Sequence, residues 1–179
     1  TSVDRDDLPD LGAAHWAQTI REIKRLNPET TTEVLIPDFQ GRKELIDQVI
    51  KACPEIISHN METVKRISPQ VRSAANYHTS LEVIRQIAES GITAKSGIMV
   101  GLGETPAEVE ELMDDLISVG CKILTIGQYL QPTHKHFPVA AYITPEQFAV
   151  YKETGLKKGF EQMESAPLVR SSYHAEKHI

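Results

Sequence analysis

Two cysteines in 179 residues, Cys53 and Cys121, are too few and too far apart for a disulfide framework or a paired-thiolate metal motif. Both are read as buried thiols of a reducing cytoplasmic compartment. No apolar run reaches the length of a membrane span and no signal peptide opens the chain, so a membrane partner is not expected. Basic residues are in the minority: the net charge is -6 and the pI about 5.6. With no basic patch, a nucleic-acid partner is not expected either. No G-x-G-x-x-G follows the first strand-like run, which argues against dinucleotide binding. The opening "TSVDRDD" has no initiator Met and no lead-in, and a segment is expected to precede it.

What is present is a repeat of short β-like runs and helix-period segments. Strands are predicted at 33–39, 55–60, 94–103 and 122–130, with a fifth just before Thr1. Helices are predicted at 13–26, 42–53, 79–90, 105–120 and 144–160. The clearest is 105–120: Thr105 is its N-cap, Pro106 suits the first turn, Glu108 completes a capping box and Gly120 closes it. Helix 144–160 repeats the recipe with Thr144, Pro145 and Gln147. Helix 79–90 is assigned Thr79 or Ser80 as its cap and Gly91 as its stop. Helix 13–26 is expected to face Trp16, Ile20 and Ile23 inward. Hydrophobic strands between amphipathic helices predict an α/β fold with a parallel sheet. At this length the fold is an incomplete (β/α) TIM-type barrel or an open doubly wound sheet, because a complete barrel takes about 250 residues.

Polar residues cluster at the predicted C-terminal ends of strands, where barrels build their sites. Asp4, Arg5, Asp6 and Asp7 follow the presumed strand before Thr1. Asp38 follows 33–37, His59, Asn60 and Glu62 follow the second strand, Gly103 and Glu104 the third, and Gln128 and Gln131 the fourth. Each has a plain structural use: Asp38 starts a turn, Asn60 caps a helix, Glu104 faces a helix dipole. Their recurrence on one face favours a ligand site. His134 and His136 form an H-x-H in a Pro-bounded loop. They would suit a metal-dependent barrel hydrolase, but no third ligand follows at a useful spacing.

Taken together, "TSVDRDDLPD", "PDFQG", "HNMETV", "VR...NYHTSL", "KSGIMVGLGET", "GQYLQPT" and "PLVRSSYHA" resemble lipoyl synthases, in that family's order and over nearly the whole chain. The resemblance implies a radical S-adenosylmethionine enzyme that inserts two sulfurs into a protein-bound octanoyl-lysine. It implies two [4Fe-4S] clusters, one that reduces S-adenosylmethionine and one consumed as sulfur source. The family's six cluster cysteines lie upstream of "TSVDRDD", so this chain alone is expected to be inactive; a non-catalytic fragment keeping only a lipoyl-domain docking surface is the alternative. Residues 1–160 are expected to form the partial barrel and 161–179 a tail. In that tail Ser172, with Ser171 as fallback, is implied as an oxygen ligand to the sulfur-donating cluster, with Arg170 supporting it. The implied cofactor residues are Ser2, Asp4 and Asp6 for the methionine moiety, Asn60 and Glu62 for ribose, Gly97 and Gly101 for close approach, Glu104, and Gln128 at the adenine edge. Implied partners are octanoylated lipoyl domains of 2-oxoacid dehydrogenase complexes or the glycine cleavage H protein, and an electron donor such as flavodoxin or ferredoxin.

Overall fold

The computed structural model describes residues 1–72, 75–173 and 175. Five strands form one sheet: β1 (Glu33–Leu35), β2 (Ile56–Ser58), β3 (Thr93–Val100), β4 (Ile123–Gln128) and β5 (Gln162–Ser165). Their order in space is their order in the chain, and every pair is parallel. Right-handed crossovers that never reverse direction put every helix on the same side of the sheet. This is the logic of a barrel wall, not of a doubly wound sheet with a switch point. The expected incomplete barrel is the fold that forms.

The crossover helices are α1 (Ala13–Leu26), α2 (Lys43–Ile50), α3 (Ser68–Val71), α4 (Tyr77–Glu89), α5 (Pro106–Ser118) and α6 (Pro145–Lys158). Parallel register places Val34, Ile57 and Ala94 in one row and Leu124 with Met163 in another. These side chains join the core beneath the helices, with Ile20, Leu45, Val49, Ile84, Leu112 and Phe148. The opposite face carries Gly97 and Thr125 side by side. Deeper on that face the fully buried Lys95 ammonium meets Glu33 at 2.5 Å.

Several details depart from the sequence reading. In α1, Ala13, Ala17 and Ile20 are the buried residues, whereas Ile23 is 37% exposed. The α4 cap is Asn76, whose side chain accepts from His78 N and Thr79 N, so the helix begins before Thr79. Ser80, the other predicted cap, is fully buried. The capping box of Thr105 and Glu108 and the Thr144 cap form as expected. The sheet also continues past residue 160: β5 pairs with β4 and extends the wall beyond the expected tail boundary.

Candidate functional site

The segment after β2 departs from regular strand geometry. Glu62 has φ +63, in the left-handed region, yet its N–H reaches Gly97 O at 3.1 Å and its carbonyl accepts from Met99 N at 2.8 Å. The chain is thereby tied to β3 while the Glu62 carboxylate turns inward. Burial pushes this carboxyl above its ordinary pKa, opposed by a hydrogen bond from Asn60 and the charge of Arg72.

That carboxylate lines a cavity of about 490 Å³ at the C-terminal ends of β1 and β2. Ser2, Asp4 and Asp6 come to it from the N-terminal segment, Asp38 from the β1 loop, His59, Asn60 and Glu62 from the β2 loop, and Arg72 from the end of α3. Burial lowers the Arg72 pKa, while Glu62, Asp38 and Asp4 counteract it by favouring the charged form. The Arg72 guanidinium thus faces three carboxylates. Asp38 was among the strand-end residues read from sequence, but Arg72 was not singled out as a site residue. Arg72 lies on a crossover and not at a strand end, so positional reasoning passes over it.

A smaller cleft of about 80 Å³ adjoins, sharing Asn60 and Glu62 and adding Gly97, Thr125, Gly127, Arg170 and Ser171. A methyl group at Gly97 would crowd Thr125 Oγ1 and Asn60 Oδ1. Asn60 Oδ1 is buried without a hydrogen-bond partner, while Asn60 Nδ2 donates to Ser171 Oγ at 3.0 Å. Ser171 is therefore the tail serine that reaches the cleft; Ser172 is exposed and does not line it. His174 and residues 176–179 of the tail motif lie outside the described residues.

Besides Ser172, the sequence-derived site residues Gly101, Glu104 and Gln128 are not brought to either space. Glu104 Oε1 and Oε2 accept from Gly101 N at 2.6 Å and Leu102 N at 2.9 Å. Gln128 Nε2 donates to Tyr129 O and Ala141 O, both at 3.0 Å, and its Oε1 accepts from Ile143 N at 2.9 Å. A side chain at Gly101 would collide with Gln128 and with the Ala141 carbonyl. Their polar groups are spent on joining the loop after β3 to the strap at 140–143.

His134 and His136 are exposed, and His136 Nδ1 pairs with Thr133 Oγ1 at 2.9 Å. Among the described residues no three His, Cys, Asp or Glu side chains gather as metal ligands. Against the expectation of two buried thiols, Cys53 is exposed in the turn after α2, where its φ is +56; Cys121 is buried before β4 as expected, and burial pushes its thiol up to about 12. The residues present therefore do not fit an iron–sulfur cluster. S-adenosylmethionine does fit. The orphaned Asn60 oxygen, the side-chain-free wall at Gly97 and the acidic cavity, in which Arg72 faces carboxylates while the exposed Arg5 is paired with Asp7, match a ligand with hydroxyls, two positive centres and one carboxylate.

Comparison with known proteins agrees with this geometry. Lipoyl synthase of Bacteroides fragilis strain YCH46 is 99% identical over all 179 residues, which span 62% of its length. Lipoyl synthase of Phocaeicola vulgatus is 80% identical over the same 179 residues, 63% of its length. Among solved structures, a domain of pyruvate-formate lyase-activating enzyme from Bacteroides vulgatus shares the fold with TM-score 0.62 at 16% identity, covering 86% of this chain and 93% of that one. Residues 1–116 match the family described as the radical SAM superfamily. With that match over most of its length and a parallel half-barrel beneath it, the chain belongs to the radical SAM superfamily.

Proposed function

We propose that this chain is the cofactor-holding wall of a lipoyl synthase, a sulfurtransferase that inserts two sulfurs into a protein-bound octanoyl-lysine. The observation that carries the reading is the cavity in which Arg72 faces Asp4, Asp38 and Glu62. S-adenosylmethionine bears a sulfonium, an ammonium and a carboxylate, so a site with four carboxylates, an Arg5 already paired with Asp7 and an Arg72 free to take a carboxylate complements it. In this reading Asp4, Asp6 and Asp38 receive the ammonium, and Arg72 the carboxylate. Asn60 and Glu62 offer an amide and a carboxylate to ribose hydroxyls, beside the bare backbone at Gly97. Gly101, Glu104 and Gln128 act by fixing the rim loops.

When bound, S-adenosylmethionine supplies a 5′-deoxyadenosyl radical for C–H abstraction, and the cleft needs no general base of its own. The role of this chain is to orient the cofactor and exclude water. The tail serine pair is proposed to supply the oxygen ligand of the sulfur-donating cluster, whose thiolates this chain does not contain. Ser171, already at the cleft through Asn60, supports the first serine of the pair over Ser172. Octanoylated lipoyl domains or the H protein, a flavodoxin- or ferredoxin-type donor and a cytoplasmic setting complete the proposal. No helix among the described residues is long and apolar enough to cross a membrane.

The test is product analysis by mass spectrometry on the full-length Bacteroides fragilis enzyme, in the numbering of this chain. Wild type is expected to convert an octanoylated H protein to the lipoyl form, and Asn60→Ala and Arg72→Gln to lose 5′-deoxyadenosine formation. Undiminished 5′-deoxyadenosine in both variants would remove the assignment of the cavity.

A further inference from the structure

Behind the cavity wall lies a chain of hydrogen bonds that the reading above does not use. His59 is buried, with Nδ1 3.0 Å from Ile36 O and Nε2 2.9 Å from Ser80 Oγ. A carbonyl only accepts, so Nδ1 carries the proton and Nε2 is the bare, accepting nitrogen. The Ser80 hydroxyl must then donate to Nε2, and its oxygen is left to accept. Arg72 Nη1 supplies that donor at 3.1 Å, and also donates to Met61 O at 3.2 Å. Each member admits one direction only: Arg72 to Ser80, Ser80 to His59, His59 to Ile36. The imidazole is held neutral, its pKa lowered to about 4 chiefly by burial and further by the charge of Arg72.

The consequence falls on the guanidinium. With Nη1 anchored on Ser80 and Met61, Arg72 is fixed at one corner, and Nη2 and Nε are left for the cavity, where they make no hydrogen bond with a described residue. A long side chain with many rotamers is pre-ordered before any ligand arrives. His59 and Ser80 are poor candidates for ligand contact themselves: Ser80 is fully buried and the His59 nitrogens are both engaged.

We propose that Ser80 and His59 are positioning residues that aim the Arg72 guanidinium at a ligand carboxylate in the cavity. This rests on the S-adenosylmethionine reading of the cavity, so the experiment separates the two. In the full-length Bacteroides fragilis enzyme, S-adenosylmethionine and its decarboxylated analogue are titrated calorimetrically against wild type, Ser80→Ala, Ser80→Thr and Arg72→Gln. The His59 tautomer is read in parallel by ¹⁵N NMR. Wild type is expected to prefer the carboxylate-bearing ligand, with His59 protonated on Nδ1 alone. Ser80→Ala is expected to reduce that preference about tenfold, leave the analogue's affinity unchanged and mix the His59 tautomers. Ser80→Thr, which keeps the hydroxyl, restores the preference. A preference lost in Arg72→Gln but intact in Ser80→Ala overturns the positioning role while sparing the cavity assignment. A preference intact in Arg72→Gln overturns the carboxylate reading, and with it the purpose assigned to the relay. A wild-type His59 protonated on Nε2 overturns the relay itself.

Discussion

At the scale of single residues, the site is built from groups held in states they do not favour in water. His59 is neutral because burial forbids its charge. Its folded pKa, about 4, lies below the ordinary value near 6.5, so the unfolded chain takes up the proton first as pH falls. The stabilisation is complete above about pH 6.5 and drains away towards pH 4, by on the order of 3 kcal/mol in all. Arg72 and Asp38 are the charges that act on this imidazole, Arg72 lowering its pKa and Asp38 raising it. Denaturant midpoints between pH 5 and 7 are expected to fall with pH in wild type and to flatten in His59→Gln; parallel curves would show that another group carries the dependence. Glu62 is the second such residue, with its left-handed backbone and buried carboxylate. Glu62→Gly relieves both and is expected to raise stability by about 1 kcal/mol while weakening S-adenosylmethionine binding. A thermal melt alongside a titration checks the pair, and a lowered melting temperature would argue that the turn is not strained. The sequence disclosed Asn60 and Glu62, because they follow a strand, but not the strain, which depends on how Glu62 is tied to β3.

At the scale of elements, what was legible follows from how local each signal is. The α5 and α6 caps are spelled out within four residues and form as written. The α4 start was misplaced because Asn76 is followed by Tyr77 and His78, which break the apolar rhythm; Tyr77 is nonetheless buried and donates to Asp115 at 2.8 Å. Asn76→Ala is expected to cost about 1 kcal/mol and Thr79→Ala less than about 0.5 kcal/mol, measured by urea denaturation. Equal costs would restore Thr79 as a cap. Strand β5 escaped notice because "QMES" has one apolar residue that buries and no alternation. The tail beyond it is seated by a long-range contact that no local pattern encodes. Gln128 N donates to Pro167 O at 3.2 Å, and a side chain at Gly127 would overlap the Val169 carbonyl. Gly127→Ala is expected to dislodge the tail and speed tryptic cleavage at Arg170 at least severalfold without lowering the melting temperature much. Unchanged cleavage would mean that the tail rests elsewhere.

At the scale of the molecule, the half-barrel fixes what the chain can hold. Its polar cavity suits an organic cation with a carboxylate, whereas its two separated thiols suit no cluster. Iron and sulfide analysis after anaerobic reconstitution of this chain is expected to find far less than one cluster per polypeptide. Near-stoichiometric iron would require ligands other than Cys53 and Cys121. The class of fold was readable because β/α alternation is a pattern of the whole chain. That pattern alone left barrel wall and doubly wound sheet both open, since strand order is set by which edges meet; the resemblance pointed to the barrel that forms.

That strand order bears on how the chain is made. Each inner strand, β2 to β4, pairs with the one synthesised before it and with the one synthesised after it. During translation no strand has to wait for a partner from a distant part of the chain, and each β/α unit can dock on a finished edge as it emerges. The wall can therefore grow by accretion, one strand at a time, in the direction of synthesis.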